Sequence, residues 1–459
     1  MYQIDFNNPI HVHFIGIGGI SMSGLAAILI DQNFQLSGSD SQASPLTRWM
    51  EEMGVSVYYK QRASNIKEGT ALVVYTAAIH PDNPEFMAAV EKKIPMLSRA
   101  ELLGQIMNNY RIPIAVSGTH GKTTTTSMAS QILLTAQKNP TISIGGILKS
   151  IQGNIRVGGH EIFITEACEY TNSFLHFYPK ISLILNIDAD HLDFFKDLDD
   201  IRHSFRLFAK NLPADGILII NNDIPDYQEI TNGLPCKVVT YGSSLDGDYY
   251  AADIVYDNIG CGSFDFIKNG QNAGRIQLNV PGEHNIYNAL AALAMGDILN
   301  ISTAIMGKGL LDFTGTNRRF EKKGEIGGVT IIDDYAHHPT EITATLQAAK
   351  NYPHKRIWCV FQPHTYTRTK SLMDDFAKAL SIADKVVLAD IYAARETDHL
   401  GISSQTLQKR INQIGTKAYY FSSFDAIEKF LLENCIHGDL LITMGAGDVV
   451  KIGESLLGQ

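Results

Sequence analysis

The chain has 459 residues, more than one ordinary domain holds, and its 45% hydrophobic and 19% charged composition is that of a globular protein burying several cores. A formal charge of -10 argues against a nucleic-acid coat, because neutralising phosphates needs a basic face. No apolar run approaches the roughly 18 residues needed to cross a bilayer, and the scattered Cys168, Cys236, Cys261, Cys359 and Cys435 support neither a disulfide framework nor a zinc knuckle.

The chain begins MYQIDFNNPI, without a basic stretch followed by an apolar one, so no secretory signal is read and a reduced cytoplasm is expected. From there short apolar strands alternate with helical stretches, which predicts parallel α/β architecture. IHVHFIGIGG runs from a strand into a glycine turn, and SMSGLAAILI opens a helix. Gly16 and Gly18 fit a dinucleotide-binding fingerprint, but its third glycine falls on Ser21, so the match is incomplete. Asp40 stands near the place where a ribose-binding acid is expected. ALVVYTAA is a further strand, and GQIMNNYRIP, around 104 to 112, starts a new strand-loop-helix unit.

That unit opens on AVSGTHGKTTTTSM, residues 115 to 128. The common phosphate loop has four residues between its glycines; here only Thr119 and His120 separate Gly118 from Gly121, before Lys122 and Thr123. Small residues let backbone N–H groups curl around phosphate oxygens. Lys122 offers a point charge, Thr123 a hydroxyl for Mg²⁺, and the following helix its positive dipole end. The preceding strand IPIAV and the helical MASQILLTA set the right context, so ATP or GTP binding with Mg²⁺ is predicted.

Two later strands end on acids. EIFITEACEY carries Glu166 and Glu169, and LILNIDADHLD carries Asn186, Asp188, Asp190, His191 and Asp193. Magnesium prefers hard oxygen ligands at strand ends near the phosphates, which suits Glu166. His191 reads either as a metal ligand or as an ordinary loop histidine, and Asn186 either as an orienter of phosphate or water or as a strand-end cap.

Residues 237 to 280 read as short strands with the turn signals GSSLDGD and KNGQNAG, followed by the helical NALAALAMGDIL. The polar, basic DFTGTNRRFEKKG then precedes a last α/β run with the strands GVTIIDDYA, RIWCVFQPH, KVVLADIYA and DLLITMGAG. Three α/β domains are expected: a Rossmann-like N-terminal domain over 1–108, a central P-loop-type ATPase domain with a β-rich insertion over 109–315, and a Rossmann-like C-terminal domain over 316–459.

Taken in order, GTHGKTTTT, EACEY, NIDADHLD, PGEHNIYNALAA, NRRFE, DDYAHHPTE and FQPHTYTRT cover nearly the whole chain and resemble the Mur ligases, whose habit the shortened loop is. The resemblance implies ATP-dependent amide synthesis. The carboxylate of UDP-N-acetylmuramate would attack the γ-phosphate to give an acyl phosphate and ADP, and the amine of L-alanine would then displace phosphate. It implies ATP contacts from Gly118, Thr119, His120, Gly121, Lys122, Thr123 and Thr124, with Asn285 and Asn288 on the adenine side. Helix N-capping is the plain structural role for both asparagines, and the two readings can coexist. Arg319 would reach the phosphates, with Arg318 as its competitor. Thr123 and Glu166 would hold one Mg²⁺ and His191 a second, making Lys122, Glu166, His191 and Arg319 the implied catalytic group. The backbone of Gly16, Gly18, Gly19 and Ser21 would cradle the UDP diphosphate, with Asp40, Thr76 and Ala77 at the same nucleotide. Arg368 would take the alanine carboxylate, a planar fork suiting a planar acid, in a pocket lined by Tyr335, His337 and His364; an exposed loop is the bland alternative for YAHHP.

Neither nucleic acid nor membrane is an implied partner, and the assembly implied is a monomer or weak homodimer. Three positions depart from the family's habit: Cys168 replaces an acid, Ala336 a glycine and Thr365 an arginine. Competing readings are a recycling ligase that joins a preformed peptide to UDP-N-acetylmuramate, an NAD-dependent oxidoreductase and a non-catalytic nucleotide switch.

Overall fold

The structure is a computed structural model that describes residues 2–394, 396–398 and 400–459. It is a three-domain α/β fold in which parallel sheets carry the chemistry-bearing loops at their carboxyl ends. The chain packs as two compact units. Residues 1–126, 137–187 and 201–239 form the first, and 127–136, 188–200 and 240–459 the second. The helix Lys122–Thr135 and the strand Lys237–Gly242 run from one unit into the other.

The first unit holds a five-stranded parallel sheet in the order Ser56–Tyr58, Gln35–Ser39, His11–Ile15, Leu72–Tyr75, Met96–Ser98. The central strand is buried from Val12 to Ile15, and the helix Ile20–Asp31 is buried from Met22 to Leu29, which explains its apolar run. In the register of this sheet Ile15, Ser39, Tyr75 and Ser98 lie side by side, so Gly16, Asp40, Thr76 and Arg99 all leave one edge.

A second sheet in this unit runs Ile217–Asn221, Ile181–Ile184, Ile112–Ser117, Ile162–Ala167, Thr141–Leu148, all parallel, with Gly153–Arg156 antiparallel at its edge. Ile112–Ser117 lies in the middle, and Ser117 pairs with Ile184 on one side and Ala167 on the other. The phosphate loop therefore leaves this sheet between the ends of Ile162–Ala167 and Ile181–Ile184.

In the second unit Tyr249–Tyr256, Cys261–Lys268 and Gln271–Pro281 form the antiparallel insertion, its last strand 11 residues long rather than short. The helix Glu283–Ile298 is tied to it where Tyr249 Oη donates to Asp297 at 2.6 Å and Lys268 pairs with the same carboxylate at 2.7 Å. The third sheet runs Glu321–Ile326, Val329–Asp334, Leu440–Met444, Ile357–Phe361, Lys385–Leu388, Lys417–Tyr420, parallel except for the first strand. Asp334, Met444, Phe361 and Leu388 end together, so the loops after Asp334 and Phe361 share one edge.

Candidate active site

In the first unit the phosphate loop needs its two glycines, because Gly118 and Gly121 turn the backbone at φ of 144° and 81°, where a side chain is strained. Asn186, from the neighbouring strand end, accepts from the His120 amide at 2.8 Å and donates to the His120 carbonyl at 3.0 Å. Of the two roles read for Asn186, the structure shows a clamp on the loop's main chain. Lys122 Nζ donates to the Gly118 and Thr119 carbonyls and lies 3.0 Å from Glu169, which is itself buried. Burial alone would lower the Lys122 ammonium, but Glu169, Cys168 and Glu166 outweigh it and hold it above its ordinary value. Glu169 is the largest of these opposing influences. The paired acids of EACEY marked its position in the sequence, but not its partner Lys122.

Thr123 Oγ1 donates to Glu166 Oε2 at 3.0 Å, and Glu166 Oε1 accepts from the Gly145 amide at 2.6 Å. A hydroxyl and a carboxylate oxygen converging beside a phosphate loop are hard oxygen donors of the kind Mg²⁺ takes. Thr124 follows in the first turn of the helix Lys122–Thr135. At the first sheet's edge Asp40 accepts from the Gly18 amide at 2.8 Å, while Gly16 and Ile17 donate to the Ser39 carbonyl. Asp40 shapes the glycine turn in this structure. Gly19 caps the next helix, Ser21 and Ala77 are exposed, and Thr76 Oγ1 accepts from the Ala78 amide.

In the second unit Asp190, Arg368, His364, His337 and Tyr335 are brought together. Arg368 Nη2 and Nε donate to Asp190 Oδ1 at 2.9 and 3.1 Å, and its Nη1 lies 3.2 Å from His364 Nδ1. Burial would raise the Asp190 carboxyl, but Arg368 and the histidines 191, 338 and 337 pull it far below its ordinary range. His337 and His364 rings lie 5.7 Å apart, and His337 meets Tyr335 edge-on at 5.5 Å. Burial lowers both imidazoles, His364 to about 4, so both are neutral near pH 7. Arginine only donates, so His364 Nδ1 accepts; His337 Nδ1 faces the Tyr335 carbonyl at 3.0 Å and must carry the proton, leaving Nε2 basic. The YAHHP segment is therefore no bland exposed loop: Ala336 and His338 are buried, and His338 caps the helix Pro339–Lys350.

The two adjacent arginines part company. Arg318 donates to Asp333 at 2.9 Å and to the Gly445 carbonyl at 2.7 Å, and is tied into the sheet. Among the described residues, the Arg319 side chain makes a single ion pair, at 4.0 Å with Glu341, and lies over the Tyr335 ring at 5.3 Å. Positive φ at Arg318 (60°) and Phe320 (47°) makes the turn that presents Arg319 between them. Phe320 N donates to Asp334, whose carboxyl burial raises to about 6 against the pull of Arg319. Asp334 and Glu341 are partners that the sequence reading did not name.

His191 has a left-handed backbone (φ 54°) and its amide donates to Asp190 at 2.7 Å. It belongs to the second unit, whereas Thr123 and Glu166 belong to the first. Asn285 and Asn288 are buried in the helix Glu283–Ile298, which Gly282 caps. The capping role falls to Gly282, without a side-chain cap bond, while Asn285 donates to the Pro281 carbonyl at 2.7 Å and Asn288 donates to Asn285 at 3.1 Å. A cavity of about 560 Å³ is lined in part by His284 and Tyr287 of this helix, with Tyr256 and Gln347.

Residues 11–111 match the Mur ligase family, catalytic domain; 116–296 match the Mur ligase middle domain; and 318–447 match the Mur ligase, glutamate ligase domain. The chain is 61% identical to the UDP-N-acetylmuramate–L-alanine ligase of Lachnospira eligens and 60% to that of Agathobacter rectalis, with 100% of each chain covered. The crystal structure of UDP-N-acetylmuramate-alanine ligase from Thermotoga maritima superposes with a TM-score of 0.80 at 29% identity, covering 98% of both chains. A murein peptide ligase from Psychrobacter arcticus shares the fold, with a TM-score of 0.70 at 24% identity. By all three domains and by full-length identity, the chain belongs to the Mur ligase family.

Proposed function

We propose that this chain is an ATP-dependent ligase that joins L-alanine to UDP-N-acetylmuramate through an acyl phosphate, in the cytoplasmic synthesis of peptidoglycan precursor. The observation that carries this reading is full-length identity of 61% and 60% to relatives that bear that activity in their names. The geometry supports each half of it.

In the first half Lys122 moves its charge from Glu169 and the loop carbonyls to the phosphates, and the loop amides clamped by Asn186 receive their oxygens. Thr123 and Glu166 would hold a Mg²⁺, which supplies charge neutralisation as the γ-phosphoryl passes to the muramyl carboxylate and ADP leaves. His191 is the proposed ligand of a second ion, and Arg319, the less tethered of its pair, the proposed phosphate contact. Asn285 and Asn288 are assigned to the adenine side, and Gly16, Gly18, Gly19, Ser21, Asp40, Thr76 and Ala77 to UDP. In the second half Arg368 takes the alanine carboxylate while still paired to Asp190. The amine attacks the acyl carbon, phosphate leaves, and His337 Nε2 is placed to accept the proton the amine sheds.

The test is phosphate release by purified protein with ATP, Mg²⁺ and UDP-N-acetylmuramate, comparing L-alanine with the preformed tripeptide as acceptor. Alanine-dependent release is expected, and Lys122→Ala should reduce it on the order of 1,000-fold or more. Release with the tripeptide alone would transfer the chain to the recycling reaction.

A further inference from the structure

Arg368 stands on a helix of only six residues, Tyr366–Ser371, too short to be stable by itself. Its start is strained as well. Thr365, the residue before it, has φ of 65° and ψ of 148°, a backbone that glycine takes readily and a β-branched residue rarely. The Thr365 side chain supplies no cap bond to the helix. A conformation of this kind persists only where the surroundings impose it.

The segment after the strand Lys385–Leu388 imposes it here. The Tyr392 amide donates to the Pro363 carbonyl at 2.8 Å, and the Tyr392 carbonyl accepts from the Thr365 amide at 2.9 Å. Between these two bonds the Tyr392 ring stacks on His364, with centroids 5.7 Å apart and planes 19° from parallel. Four residues further on, Glu396 holds the helix start. Its Oε2 accepts from the Tyr366 amide at 2.6 Å and from the Thr367 amide at 3.0 Å, and its Oε1 accepts from the Thr367 hydroxyl. The carboxylate thus supplies the cap that Thr365 does not, and its charge complements the positive end of the helix. Arg368 is the next residue, and its guanidinium is held at the far end by Asp190 and His364.

We propose that Glu396 is a positioning residue for the acceptor amino acid. By fixing the first turn of Tyr366–Ser371 it keeps the Arg368 fork aimed at the L-alanine carboxylate. This rests on the proposed function. Asp190 and His364 hold the head of the arginine, whereas Glu396 holds its root. A fork that meets a planar acid through two parallel hydrogen bonds tolerates little rotation, so both ends matter. With Glu396 truncated, the backbone at Thr365 is free to relax and carries Arg368 with it. The loss falls on alanine, because the proposed ATP contacts lie on other elements.

The experiment is steady-state phosphate release by the full chain, with L-alanine and ATP varied in turn. Glu396→Ala should raise the KM for L-alanine on the order of threefold to thirtyfold while that for ATP changes by less than about twofold. Glu396→Gln, whose side-chain carbonyl still accepts from both amides, should recover most of the loss. Glu396→Asp, one methylene short of the amides, should show the same split to a smaller degree, and serves if the alanine variant melts early. In an Arg368→Ala background, Glu396→Ala should add less than about twofold, because the residue it acts through is already gone. A full further loss in that background, an equal rise for both substrates, or no change in any variant would overturn the inference alone. Wild type without alanine-dependent release would overturn the proposed function and this inference with it.

Discussion

Arg368 and Lys122 are each already engaged by an acid, Asp190 and Glu169, at 2.9 and 3.0 Å. Such pairing keeps a partly buried cation charged and aimed, at the cost of sharing it with the ligand. For Arg368 the consequence is measurable. Arg368→Ala should raise the KM for L-alanine on the order of tenfold to a hundredfold while that for ATP changes by less than about twofold. The melting temperature should also fall, because Asp190 is left buried without its main counter-charge. Steady-state kinetics with both substrates varied checks this, and equal KM effects would count against a carboxylate clamp. Residue identities at the site were legible because strand-end loops with Lys, Glu, His and Arg are rare in cores. Their partners were not. Asp190 and Arg368 are separated by 178 residues, and no spacing rule spans that distance.

At the scale of elements, apolar strands such as Ile357–Phe361 and Leu440–Met444 were legible as near-continuous hydrophobic runs, as expected where both faces of a parallel sheet are covered. Gln35–Ser39 was not, since QLSGS has the composition of a loop; it is a strand because it lies beside His11–Ile15 and its last four residues are buried. The same holds for Gly153–Arg156 and Glu321–Ile326, polar edge strands that only pairing defines. The helix Arg99–Met107 shows how little an element's sequence says about its neighbours. Gly104 looks like a mild weakness within it, yet the close approach of His176 demands it. Gly104→Ala should therefore destabilise the protein by about 2–4 kcal/mol rather than stabilise the helix, as denaturant unfolding would register. Unchanged or increased stability would mean the approach can relax.

Over the whole molecule, pH dependence of stability has an identifiable contributor in Asp439. It is buried, accepts from Arg356 at 2.6 Å, from Trp358 at 3.0 Å and from the Ile436 amide at 3.0 Å. Burial would raise its carboxyl, but these hydrogen bonds outweigh it and hold it below 3.8. A carboxyl lower in the folded state contributes stability that is full above the unfolded value and is lost as pH falls through the folded one. The melting temperature of Asp439→Asn should lie a few degrees below that of wild type at pH 7, and the gap should close as pH drops below 3.8. A gap that stays constant from pH 7 downward would assign the effect to packing.

The sequence by itself determined the alternation of strands and helices, the short phosphate loop and the acids, histidines and arginines that terminate the strands, because periodicity and turn chemistry are local properties. Tertiary structure alone decided that Asn186 clamps the loop, that Glu169 holds Lys122, and that Arg318 is tied down while Arg319 is presented. Each of these depends on which strands lie next to one another and on how far water is excluded between them. Both are set by packing across the chain and leave no trace in the spacing of residues along it.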